Sequence, residues 1–283
     1  MSMLPHLLLL LAGCKDQPAD TSEMTSCETG ETYSWVMTSM TYTRRDADNR
    51  VWGFDLDDHV SDAGDDEGCG HADLEDPDGN GGIDNAFSGI VPALEATEAK
   101  AVEGLIQDSI NNGELLILFQ LSGVDDLMND DCVSVSAFRA DGAPMIGTDG
   151  LILDSQSFSH STLPPQSTID GAQIVDGRVV SRGLELALPI NILDVELQFN
   201  IDEAAIRMDI SEDGESITGF FGGGVPLEDI LVLTEEEDIG DITSLVKSLV
   251  TTVADLYPDE DGTCQELSVS FNLEGRTAFF YGE

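Results

Sequence analysis

The clearest pattern in the chain is a strict alternation of apolar and polar residues from position 193 to 201. Its apolar positions are Leu193, Val195, Leu197, Phe199 and Ile201. Because successive side chains of a strand point to opposite faces, the alternation predicts a strand with one buried and one solvated face, as antiparallel sheets permit. Residues 182–190, 205–210 and 216–221 repeat the pattern more weakly and predict further strands.

Strand patterns also occupy the N-terminal part and the end of the chain. Residues 33–43 and 51–56 are rich in aromatic residues and partly alternate, so we expect them to form a hairpin. Residues 114–121 are a continuous apolar run, typical of a strand buried on both faces. Residues 265–273 and 276–281 predict a second hairpin that closes the chain.

Three stretches have helical periodicity instead. Apolar residues recur at helical spacing in 87–94, 97–112 and 241–256. Together the patterns predict an α+β, β-rich fold in which antiparallel, sandwich-like sheets are flanked by a few helices. We expect one globular domain over residues 31–283, which the Gly-, Pro- and Ser-rich segment 140–168 could divide into two subdomains.

The chain is strongly acidic. Lys and Arg number 11 against 56 Asp and Glu, which gives a formal net charge of −45 over 283 residues. Nucleic acids and anionic bilayer surfaces would repel such a chain, so we expect neither as a direct ligand. Cations and basic partners remain as candidate ligands. Acidity of this kind also maintains solubility without any ligand.

The N-terminus, MSMLPHLLLLLAGC, has a leucine run that is too short to span a bilayer and that ends at Cys14. Its last four residues, LAGC, resemble the lipobox of bacterial lipoproteins. The resemblance implies a signal peptide at 1–13, a lipid on Cys14 and a flexible tether at 14–30. Lys15, in place of the aspartate that would signal inner-membrane retention, implies an outer-membrane or cell-surface location. The alternative is an ordinary secretory signal that is cut nearby.

Four further cysteines remain: Cys27, Cys69, Cys132 and Cys264. An even number in an oxidising compartment predicts two disulfides, for which three connectivities are open. We expect Cys69 to pair with Cys132, which would tie the acidic region to the body of the domain. Cys27 and Cys264 would then join the two ends of the domain.

Residues 54–85 are the most acidic part of the chain and contain no Lys or Arg. Within them, residues 76–84 (DPDGNGGID) resemble the calcium loops of EF-hands, dockerins and thrombospondin type 3 repeats. The resemblance implies a calcium ion that is bound by oxygens of five residues: Asp76, Asp78, Asn80, Gly82 and Asp84. Phe87 stands where an EF-hand has its bidentate glutamate. Three upstream carboxylates could complete the shell instead: Asp55, Asp57 and Asp73.

Two other interpretations of this region are open. Asp, Asn, Pro and Gly are also the commonest turn residues, so residues 76–84 could be a double turn that binds no ion. His59 and His71 lie in the same acidic run and, with neighbouring aspartates, could bind zinc or iron.

Several motifs together resemble cell-envelope lipoproteins of myxobacteria and related Gram-negative predators. They are the lipobox, GFDLD at 53–57, PDGNGGIDN at 77–85 and the closing CxELSVSF at 264–271. The resemblance implies a location and a calcium ion but no activity. We therefore expect a non-enzymatic, lipid-anchored binding or scaffold module, with calcium in its acidic loop and an unknown protein or glycan ligand. The alternative is a metal-dependent envelope hydrolase that uses the same Asp- and His-rich loop.

Overall fold

The structure, a computed structural model, describes residues 27, 30–66, 68–97, 101–192, 195–236 and 242–281. The predicted signal peptide at 1–13, the predicted lipidation site Cys14 and most of the predicted tether lie outside the described residues. Within these residues, no helix is both long enough and apolar enough to cross a membrane.

The described part of the chain contains ten strands and four helices. The strands are β1 (Glu31–Tyr42), β2 (Ile117–Val124), β3 (Asn129–Asp141), β4 (Gln156–His160), β5 (Gln166–Val175), β6 (Arg178–Ile192), β7 (Val195–Ile210), β8 (Ser216–Pro226), β9 (Leu256–Pro258) and β10 (Cys264–Tyr281). The helices are α1 (Phe87–Glu95), α2 (Val102–Asn112), α3 (Leu227–Glu236) and α4 (Ile242–Val253). The prediction of a β-rich chain is therefore confirmed.

Eight of the strands close into an antiparallel β-barrel. The order around the ring is β1, β2, β3, β5, β6, β7, β8 and β10, and β10 pairs back onto β1. Strands β4 and β9 lie outside this ring and pair with β10. The prediction of sandwich-like sheets with flanking helices is wrong. Strands of sandwiches and of barrels share the same alternation, and closure depends on the pairing of two strands that are far apart in the sequence.

Apolar side chains fill the barrel, and β10 shows how they are placed. Leu267, Val269 and Phe271 belong to the main hydrophobic core. Full burial of one such side chain stabilises the fold by roughly 1.5–3 kcal/mol. Ser268 and Ser270 alternate with them, so they face outward, yet both are completely buried. Other chain segments must therefore cover the outer face of the barrel at this point.

Helix α2 spans the ring instead of flanking a sheet. It contacts β1 and β6, which stand on opposite sides of the barrel. Its residues Ile106 and Ile110 are buried in the main core. The helix ends at Gly113, whose φ of 82° is the left-handed conformation that glycine adopts at helix C-termini.

Both predicted hairpins are wrong. Strand β1 pairs with β2 and β10, whereas residues 51–56 form no strand and make an isolated bridge from Phe54 to Asp84. The end of the chain is one long strand, because Gly275 stays in register with both β1 and β8 instead of turning. Segment 140–168 contains β4 and the start of β5, and both strands belong to the same ten-stranded sheet as the other barrel strands, with β4 outside the ring.

A small aromatic cluster covers the outer face of β7 and β8. The ring of Trp52 stacks on that of Phe220 with centroids 5.5 Å apart, and the ring of Phe54 lies 4.9 Å from the same centroid. The guanidinium of Arg207 lies 4.8 Å from the centre of the Trp52 ring, in a cation–π contact. This cluster holds the start of the acidic region against the barrel.

Candidate metal centre

Three carboxylates of the acidic region meet in the structure. Asp55, Asp57 and Asp84 each present one oxygen, and these atoms all lie within 4.8 Å of one another. Asp84 is only 2% exposed, and Asp55 and Asp57 are partly buried. Carboxylates this close to one another and shielded from water repel each other unless protons or cations neutralise them. We call these three residues the Asp cluster.

A short stretch of paired backbone creates this proximity. The amide of Asp84 donates to the carbonyl of Phe54 at 2.8 Å, within an antiparallel bridge. The amide of Leu56 donates to Oδ2 of Asp84 at 2.6 Å. Because alternate residues of an extended chain point to the same side, the two residues that flank Leu56, Asp55 and Asp57, can both reach the Asp84 carboxylate.

The pKa of Asp84 is raised from its ordinary value of 3.8 to about 8. Burial is the main cause, and the negative charges of Asp57, Asp255 and Asp73 act in the same direction. The hydrogen bond from Leu56 acts against them. A bound divalent cation would lower the pKa of Asp84, since a nearby positive charge favours the ionised carboxylate.

Asp55 contributes a second buried oxygen to the Asp cluster. Its Oδ1 atom is buried and has no hydrogen-bond partner among the described residues. Burial, followed by the charge of Asp57, raises the pKa of its carboxyl. Gly82 packs against this side chain, because a Cβ atom at that position would lie 3.2 Å from Oδ2 of Asp55. A buried oxygen without a partner is unfavourable, and a bound cation would satisfy it.

Asp73 borders the Asp cluster. Its Oδ2 accepts a hydrogen bond from the amide of Ser61 at 2.6 Å. Asp73 and Asp84 are close enough for each to influence the pKa of the other. Burial raises the pKa of Asp73. The three upstream residues that the sequence suggests as additional ligands therefore all lie at or beside Asp84.

The predicted calcium loop itself is a tight turn between paired ends. Leu74 and Ile83 form an antiparallel bridge with N–O distances of 2.9 and 3.0 Å. Within the turn, the Asp76 carboxylate accepts hydrogen bonds from the backbone and side-chain amides of Asn80, both at 2.8 Å. The side chain of Asp78 is exposed and lies 3.7 Å from Arg207.

The structure thus places the five residues of the predicted loop in two groups. Asp84 belongs to the Asp cluster, and Gly82 lies against Asp55. The other three residues lie in the turn: Asp76, Asp78 and Asn80. In an EF-hand the chain winds around the ion, whereas here the bridge between residues 74 and 83 closes the segment into a hairpin. The turns within this hairpin use left-handed φ angles of 91° at Gly79 and 77° at Gly82.

Two disulfides are present, but their pairing differs from the prediction. Cys27 bonds to Cys132, and Cys69 bonds to Cys264. The predicted pairs Cys69–Cys132 and Cys27–Cys264 are wrong. Cysteine spacing contains no information on which cysteines the fold brings together. The acidic region is therefore tied to the start of β10 and not to β3.

Asp255 is a buried carboxylate that the sequence patterns do not single out. It follows α4, and its carboxylate accepts hydrogen bonds from the amide and hydroxyl of Ser268, at 2.9 and 2.5 Å. Burial raises its pKa to about 6, and the charge of Asp73 contributes. Its charge also acts on Asp84, so Asp255 belongs to the electrostatic surroundings of the Asp cluster. The helical pattern over 241–256 does not predict the burial of Asp255, because an aspartate at the end of a helix is usually exposed.

The two histidines of the acidic region do not join the Asp cluster. Nε2 of His59 lies 3.0 Å from Oδ2 of Asp65. Within the described ranges, neither His59 nor His71 belongs to a close group of three metal-ligating side chains. The zinc or iron interpretation thus gains no support from the geometry.

The donor set of the Asp cluster consists of oxygen atoms, which suits a hard divalent cation better than zinc or copper. The buried side chain of Asp84 and the unpaired Oδ1 of Asp55 fit such an ion. The chain was also compared with known proteins. No protein-family model, curated protein or solved structure matches it.

Proposed function

We propose that this protein is a non-enzymatic binding or scaffold module of the cell envelope in which a calcium ion, bound by Asp55, Asp57 and Asp84, stiffens the acidic region. The observation that carries the proposal is the convergence of three carboxylate oxygens within 4.8 Å around the buried Asp84. One divalent cation would neutralise charges that otherwise oppose folding of this region.

Calcium is the best candidate among the hard cations. It takes six to eight oxygen ligands in irregular geometry, whereas magnesium demands a near-ideal octahedron. The Asp cluster supplies three carboxylates, of which one is buried and two are partly exposed. Water molecules on the exposed side could supply the remaining ligands of the ion. Asp73 is near enough to Asp84 to enter the shell once its own carboxyl is ionised.

Two observations support a location outside the cytoplasm. The chain has two disulfides, which form and persist mainly in oxidising compartments. Its N-terminal sequence ends in the lipobox-like LAGC, so we propose a lipid on Cys14 that anchors the protein in the outer membrane or at the cell surface. The net charge of −45 disfavours nucleic acid as a partner and leaves a protein or glycan ligand as our proposal.

Calcium titration of the purified barrel domain tests the proposed metal centre. We expect calcium to raise the Tm of the wild type, and the double variant Asp57→Asn with Asp84→Asn to abolish this rise. The double variant should also be at least as stable as the wild type in EDTA, because it loses the repulsion between the carboxylates.

A matched control separates the two ligand sets. The double variant Asp76→Asn with Asp78→Asn changes the predicted loop but leaves the Asp cluster intact, so it should keep the calcium-dependent rise in Tm. Loss of the rise in this variant alone would locate the ion in the turn, and an unchanged wild-type Tm with calcium would disprove the metal centre.

A further inference from the structure

Residues 57–66 and 68–73 belong to a loop that leaves the Asp cluster at Asp57 and returns to it at Asp73. Two hydrogen bonds close its base: Ser61 N to Asp73 Oδ2 at 2.6 Å, and Asp73 N to the Ser61 carbonyl at 3.1 Å. Among the described residues, every backbone–backbone hydrogen bond of this loop joins two positions inside it. We call this unit the acidic loop.

The strongest connection from the acidic loop to the barrel is covalent. Cys69 near its tip forms a disulfide with Cys264, the first residue of β10. The loop also contacts Arg182 through Asp58 at 3.3 Å, but the side chain of Asp58 is 89% exposed. An ion pair this exposed contributes little to stability and is screened by salt.

Two features of the acidic loop oppose its docked position. Its described residues include six aspartates and no Lys or Arg, so its charges repel one another: Asp57, Asp58, Asp62, Asp65, Asp66 and Asp73. The backbone of Cys69 has a left-handed φ of 51°, a conformation that is unfavourable for a residue other than glycine. A segment with such charge extends when nothing restrains it.

We propose that the Cys69–Cys264 disulfide is a redox-sensitive clamp on the metal centre. When the disulfide is intact, it holds the acidic loop against the barrel. It thereby supports the paired backbone that places Asp57 and Asp73 beside Asp84, and so preorganises the cation site. When it is reduced, the acidic loop moves away from the barrel and the affinity for calcium falls. This inference rests on the proposed function, since it describes the regulation of the same site.

The reduction step needs a dithiol, either a small molecule or a protein. Its thiolate attacks one sulfur of the disulfide to give a mixed disulfide, and its second thiol then displaces the remaining cysteine. Two electrons and two protons pass to Cys69 and Cys264, which become thiols, while the dithiol becomes a disulfide. The Cys69 side of the bond is partly exposed, whereas Cys264 is 4% exposed, so attack from the Cys69 side is the accessible route.

Isothermal titration with calcium chloride tests the clamp on three oxidised proteins. These are the wild type, the double variant Cys69→Ala with Cys264→Ala, and the matched control Cys27→Ala with Cys132→Ala. We expect the first variant to bind calcium roughly tenfold more weakly or worse, since it loses preorganisation, and the control to bind like the wild type. Hydrogen exchange at residues 57–73 should accelerate in the first variant alone.

The wild type treated with dithiothreitol provides a second test that does not depend on a variant folding. Its calcium affinity should fall to that of the Cys69→Ala, Cys264→Ala protein, and reoxidation should restore it. Equal affinity in the oxidised wild type and in that variant would overturn the clamp alone. An equal loss in both double variants would also overturn it, by showing general destabilisation. No binding by the oxidised wild type would overturn the proposed function itself.

Discussion

The backbone amide of Leu56 donates a 2.6 Å hydrogen bond to Oδ2 of Asp84, which lies 28 residues away in the sequence. Leu56 stands between Asp55 and Asp57, so this bond and the Phe54–Asp84 bridge bring three carboxylates to one place. The arrangement is electrostatically unfavourable without a counter-ion, and the raised pKa of Asp84 results from its burial first and from that repulsion second. The predictions below follow from this relationship and from the contacts around it.

The pH dependence of stability should report on Asp84. Its pKa is about 8 in the folded protein and near 3.9 in an unfolded chain. Between these values the folded state binds more protons than the unfolded state, so the free energy of unfolding falls as the pH rises. We expect urea unfolding in EDTA to show this fall from about pH 4 to about pH 8. The variant Asp84→Asn should flatten the profile, and an unchanged profile would contradict the raised pKa.

Glu266 should contribute to the same trend from a separate position. Burial raises its pKa to about 7, helped by the charges of Asp202 and Glu203, and its Oε2 is buried with no hydrogen-bond partner in the described part of the chain. We expect Glu266→Gln to raise the free energy of unfolding at about pH 8 and to have much less effect near pH 4, where the carboxyl is mostly protonated in both states. The exposed Glu274 on the same strand provides the control, since Glu274→Gln should change neither value.

Position 82 should require glycine, because its backbone is left-handed and little space is left beside Asp55. Its φ is 77°, and an added Cβ would lie 3.1 Å from Val60 and 3.2 Å from Asp55 Oδ2. We expect Gly82→Ala to lower the free energy of unfolding by about 1–2 kcal/mol and to weaken calcium binding. Gly81→Ala is the matched control, because a Cβ there would meet no atom of the other described residues within 4 Å. Equal effects of the two changes in urea unfolding and calcium titration would refute this role.

Trp52 should anchor the start of the acidic region. Its ring stacks on Phe220 and lies under Arg207, so Trp52→Ala removes a stacking contact and a cation–π contact. We expect a loss of about 2–4 kcal/mol in the free energy of unfolding, together with weaker calcium binding. The exposed Tyr281 is the control, and Tyr281→Ala should stay within about 0.5 kcal/mol of the wild type. A Trp52 variant as stable as this control would show that the cluster does not anchor the region.

Individual strands and helices could be predicted, because the periodicity of apolar residues depends only on residues that are close together in the sequence. The apolar run at 114–121 overlaps β2, and the helical spacing at 97–112 contains α2. The alternation at 193–201 falls largely within β7. The predicted hairpins failed for the opposite reason. Glu274-Gly275 has the composition of a turn, but pairing with strands on both sides holds Gly275 in an extended ladder.

The candidate site was predictable in part. The density of aspartates located the region, and Asp84 with the upstream Asp55 and Asp57 was among the suggested ligands. Asp76 and Asp78 have calcium-loop spacing, yet the structure places them in a hairpin turn, since the same residue types favour tight turns. Asp255 could not be predicted, because its burial arises only when the end of α4 packs against Ser268.

The sequence by itself determined the β-rich character of the chain, the number of cysteines that can pair and the position of the acidic region. Only the tertiary structure decided that β10 closes the sheet onto β1, that Cys69 bonds to Cys264, and that Asp84 meets Asp55 and Asp57. Each of these features is a contact between residues far apart in the chain. Such contacts depend on how the whole set of strands packs, and no local period or spacing contains that information.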